Sequence, residues 1–89
     1  MSLDEKTLLY MEERVKKGNA IKAEVDHLLE IKEKHCSSIH KVALSNGNDL
    51  YASFIERKDN IRFVLSLEET LSNEIDKEVA LLQEEFDKL

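Results

Sequence analysis

Cys36 and His40 lie four residues apart, the spacing at which a helix brings two side chains onto one face and could offer a metal ion two ligands. Two ligands do not make a site. His35 points about 100 degrees away around the same helix, and no second Cys/His pair occurs anywhere in the chain. Neither a metal nor any other cofactor is therefore expected. A second chemistry is conceivable at the same place. If the chain reverses beyond it, His35 and Cys36 come opposite Arg57 and Lys58, and a thiol among cations is activated and can sit beside a bound carboxylate or phosphate. The plainer reading is preferred: basic side chains whose stems cover an apolar seam and whose heads reach water.

The remaining candidates are weaker. Glu12-Glu13 and Glu84-Glu85 resemble catalytic carboxylate pairs, yet neighbouring residues on a helix diverge and do not meet on a substrate. No glycine-rich phosphate loop, Ser-His-Asp arrangement or zinc-type spacing is present. The sequence predicts no enzyme and no small-molecule substrate.

What must position these residues is a helical scaffold. Proline is absent, glycine occurs twice, and charged residues make up 36% of 89 residues, the composition of long amphipathic helices. The net charge of -6 argues against nucleic acid and anionic membrane as partners. One cysteine allows no intrachain disulfide, there is no Asn-X-Ser/Thr site and no signal-like apolar run, so the expected compartment is intracellular, cytoplasmic or nuclear. Asp87-Lys88-Leu89 carries no helix terminator, and the chain reads as a single domain over 1–89 or a piece cut from a longer protein.

Apolar residues recur at three and four from about Asp4: Leu8, Met11, Val15, Val25, Leu29, Cys36, Ile39 and Ala43 share one phase, which predicts a first helix over 4–44. Gly18-Asn19 interrupts it. A new helix capped by Asn19 is one reading, but the phase runs through unbroken, so a continuous or kinked helix is preferred. Ser45-Asn46-Gly47-Asn48-Asp49 supplies the turn, with Asn48 or Asp49 capping a second helix over 50–88. The fold predicted is all-α: an antiparallel, coiled-coil-like two-helix hairpin.

Two heptad tracks read separately share one register. Ile39 falls opposite Phe54, Lys32 opposite Ile61, Val25 opposite Glu68, Gly18 opposite Ile75 and Met11 opposite Leu82. Glu68 is the anomaly, a carboxylate in an apolar column that must be paired, hydrated or protonated. Lys22 is its nearest expected partner. Glu68 reads as a device fixing register or orientation, and Glu68→Leu is expected to keep or raise the melting temperature while blurring assembly.

The apolar face of the second helix is wider than one partner covers. Phe63 and Leu67 extend it beyond Val64 and Leu71, which predicts a homodimer, two hairpins forming a four-helix bundle, or docking on another helical protein. Function at this level is a protein-interaction or oligomerisation module, a scaffold or spacer in an intracellular assembly. The alternative is a small helical-bundle adaptor or co-chaperone that holds a partner helix or client in an apolar groove.

Overall fold

The computed structural model describes residues 2–47 and 52–89. The first helix, α1, spans Ser2–His35 and the second, α2, spans Ile61–Asp87; between them stand two short strands, β1 (Lys41–Leu44) and β2 (Ser53–Glu56), paired antiparallel. The molecule is therefore mostly helical but not purely so, measuring 66 × 30 × 16 Å along its principal axes.

Both helices are shorter than the apolar spacing predicts. α1 ends at His35, not at 44, and α2 begins at Ile61, not at 50. Lys32, Lys34 and His35 close α1 with the positive charge that suits a helix C-terminus. Ser37 and Ser38 follow, residues whose hydroxyls compete for backbone hydrogen bonds and so oppose further helix. Beyond them Val42 and, on the return, Phe54 and Ile55 are of types that fit a pleated surface better than a helix. Asn46-Gly47 lies at the end of the hairpin, with Gly47 at a φ of 97°, a backbone that favours glycine. The expected caps Asn48 and Asp49, like Leu50 and Tyr51, lie outside the described residues.

The register also differs from the one the heptads predict. Ala43, not Ile39, opposes Phe54. Lys32 Nζ meets Asp76 Oδ1 at 2.5 Å rather than Ile61, and a Cβ on Gly18 would lie 3.3 Å from Phe86 Cε2, not against Ile75. Interposing a hairpin slides the helices past each other by about three to four turns relative to a simple reversal.

The core is narrow. Val64, Glu68, Ile75 and Val79 are the buried residues of α2, at spacings that keep them on one side of a helix. Ile39 joins them from the segment after α1, and Gly18 is buried within it; Ile21, Val25, Leu28 and Ile31 are half-buried. Among the described residues no helix is long and apolar enough to cross a membrane.

Candidate functional site

The best-defined polar arrangement lies where the helices meet the hairpin. Glu68, 8% exposed, accepts a hydrogen bond at Oε1 from the Ile39 backbone N–H at 3.3 Å and a short charge-assisted one from Arg57 Nη1. The same Arg57 nitrogen also donates to the Ile39 carbonyl at 3.2 Å. Arg57 is placed for this by the turn after β2: its own N–H continues the strand ladder onto the His40 carbonyl at 2.9 Å. One carboxylate thus ties α2 to both ends of the hairpin.

Lys22, the partner expected for Glu68, is elsewhere. It lies exposed beside Ile21, Val25, Gln83 and Phe86, toward the far end of the helix pair. The sequence marked Glu68 as needing a partner but could not find Arg57, because a second helix over 50–88 puts Arg57 about three turns from Glu68 along the same helix, whereas it stands in the turn between β2 and α2.

The expected cationic notch is not assembled. Arg57 is committed to Glu68, Lys58 Nζ sits 3.3 Å from Glu56 Oε2, and His35 is exposed on α1. Arg57 and Lys58 line a surface depression with His40 and Ile61, whereas His35 lines a different one. Cys36 is half-buried, and burial pushes its thiol up, outweighing the nearby Lys32 that acts the other way. Such a thiol is a small hydrophobe more than a nucleophile. The chain has left the helix before His40, so Cys36 and His40 do not share a helical face; among the described residues no cluster of three His, Cys, Asp or Glu side chains could hold a metal.

Of the four residues expected at an interface, the structure separates one from the rest. Val64 is 0% exposed and Phe63, its neighbour, is 53% exposed. Leu67 and Leu71 are half-buried and form part of the floor of a groove beside β1. Val64 is a core residue and cannot also be a contact surface.

That groove went unnoticed in the sequence because its wall is a strand that the helical reading left out. Ile31 and His35 of α1 and Leu67 and Leu71 of α2 line it, together with every residue over 38–43. A scan of protein-family models, a search of curated proteins and a search of solved structures each return no match.

Proposed function

We propose that the chain is a protein-interaction module that associates through its apolar surface, as a scaffold or spacer within an intracellular assembly. The observation that supports this is the imbalance between core and surface. Among the described residues four apolar side chains are buried, while Leu8, Leu9, Tyr10, Met11 and Val15 on α1 and Ile61, Phe63, Leu65, Leu81 and Phe86 on α2 are large, apolar and exposed. Each such side chain stabilises by roughly 1.5 to 3 kcal/mol when fully buried, so covering a few would rival the whole stability of a domain this small. Two hairpins docked along these faces would make a four-helix bundle.

The interface proposed on α2 centres on Phe63 with Leu67 and Leu71 at its margin; Val64 supports it from within. Glu68 keeps the role of fixing orientation, through the hairpin junction. Sedimentation equilibrium of the full chain is expected to show a mass above that of the monomer at micromolar concentration. Phe63→Glu should lower that mass with the helix content unchanged, since the side chain is exposed. An unchanged mass would remove Phe63 from the interface.

A further inference from the structure

Open strand edges seek partners, and the two edges of this hairpin differ. Because the Arg57 N–H bonds to the His40 carbonyl, alternation along an antiparallel ladder turns the backbone groups of His40, Val42 and Leu44 toward β2 and those of Lys41 and Ala43 outward. On β2 the outward groups are those of Phe54 and Glu56, and the Glu56 carbonyl is taken by the N–H groups of Asp59 and Asn60 at 3.2 and 3.1 Å and by the Asn60 side chain. The β2 edge is blocked at its end by the turn into α2. Among the described residues no hydrogen bond engages the outward backbone groups of Lys41 and Ala43.

The groove lies along that open edge. Its lining includes each residue over 38–43, inward and outward side chains alike, and none of β2, which is what a channel running beside the rim of a strand contacts. Two pairs of residues spaced by four, Ile31 with His35 and Leu67 with Leu71, supply the rest of the wall. Although the chain carries a net charge of -6, the groove is lined by His35, His40 and Lys41 and by no carboxylate.

We propose that an extended segment of a partner protein binds here as a third strand on β1, with apolar side chains at alternate positions and a carboxylate between them. Residues opposite one another on adjacent strands share a face. The partner residue opposite Val42 therefore turns toward Leu67 and Leu71, where an apolar side chain is covered. The one opposite Lys41 turns to the outer face, where Lys41 Nζ already lies 4.3 Å from the centre of the Phe54 ring and a carboxylate finds a cation. Main-chain bonds to Lys41 and Ala43 supply affinity, and the alternation supplies selectivity. This rests on the reading of the chain as an interaction module and names the partner class for one of its surfaces.

The test is a titration of the isotopically labelled full chain with the blocked peptide acetyl-Val-Glu-Val-Thr-Val-amide, followed by amide chemical shifts. Saturable shifts at 38–43, Ile31, Leu67 and Leu71 are expected. Replacing Glu by Lys in the peptide should weaken binding, and N-methylating its edge-facing amides should weaken it about tenfold or more. Ala43→Pro should abolish binding while the β1 to β2 ladder persists, because only an outward N–H is removed; the methylated peptide makes the same point without altering the protein. No shifts up to about 5 mM peptide, or equal binding of the methylated peptide, would overturn the proposal. So would shifts at Lys41 and Ala43 that appear with protein concentration alone, which would assign the edge to a second copy. Loss of peptide binding with self-association intact would leave the interaction-module reading standing; a monomer that binds no peptide would end both.

Discussion

Glu68 and Arg57 show how a single buried carboxylate can set the geometry of a molecule with little core. The Glu68 side chain is 11% exposed and that of Arg57 28%. Removing one member of such a pair strands the other, which costs far more than the pair itself contributes. Seen with its partners, Glu68→Leu changes sign: the substitution leaves the guanidinium with only the Ile39 carbonyl and no countercharge, and the buried Ile39 N–H without an acceptor. A loss of about 3 kcal/mol is expected, lowering the melting temperature by more than about 10 °C. Arg57→Met on top of Glu68→Leu should recover only part, because the Ile39 N–H stays unpaired. Thermal denaturation of the three proteins checks this, and a Glu68→Leu variant melting at or above wild type would contradict it.

At the scale of elements, the two helices, their antiparallel course and the reversal at Asn46-Gly47 were legible in the spacing of apolar residues. The buried positions of Glu68 and Ile75 in one column of α2 were legible too. The hairpin was not, since Cys36, Ile39 and Ala43 satisfy helical spacing and mask a strand only four residues long. A cue was available, though a weak one: β-prone Val42 on one side and Phe54 and Ile55 on the other flank a cluster of turn residues that includes Asn46-Gly47, but eight residues separate the strands where the tight-hairpin pattern needs two. Register was lost for a different reason. A heptad pattern slid along its partner still matches, and only the length of the connecting segment decides among the matches. Candidate-site legibility followed the same division: Glu68 stood out because it broke a pattern, while the β1 groove had no pattern to break.

Gly18 tests the helix packing that replaced the heptad register. It sits within α1 at no unusual backbone angle, and a Cβ there would approach Phe86 Cε2 at 3.3 Å and Leu89 Cδ1 at 3.7 Å. Phe86 is 49% exposed, so its ring can yield by a few tenths of an ångström. Gly18→Ala should then gain up to about 1 kcal/mol from helix propensity, whereas Gly18→Leu should destabilise by overfilling the same contact. Denaturant unfolding of both separates this packing from one against Ile75, for which Phe86→Ala would leave the Gly18→Leu penalty untouched.

For the whole molecule the decisive quantity is apolar surface left in water. A 34-residue and a 27-residue helix share a narrow seam, and Glu68 with Arg57 ties α2 to the base of the hairpin. Ion pairs on the outside, such as Lys34 with Glu30 at 2.5 Å and Lys77 with Glu74 at 3.1 Å, contribute little at a solvated surface. On the proposed reading, further stability comes from covering the exposed faces of α1 and α2. Association that stabilises the folded chain obeys mass action, and the most direct measurement is the melting temperature of the full chain as its concentration is raised over about a hundredfold range. The midpoint is expected to climb by several degrees with concentration, and by less for Phe63→Glu. A midpoint that stays fixed over the whole range would contradict this.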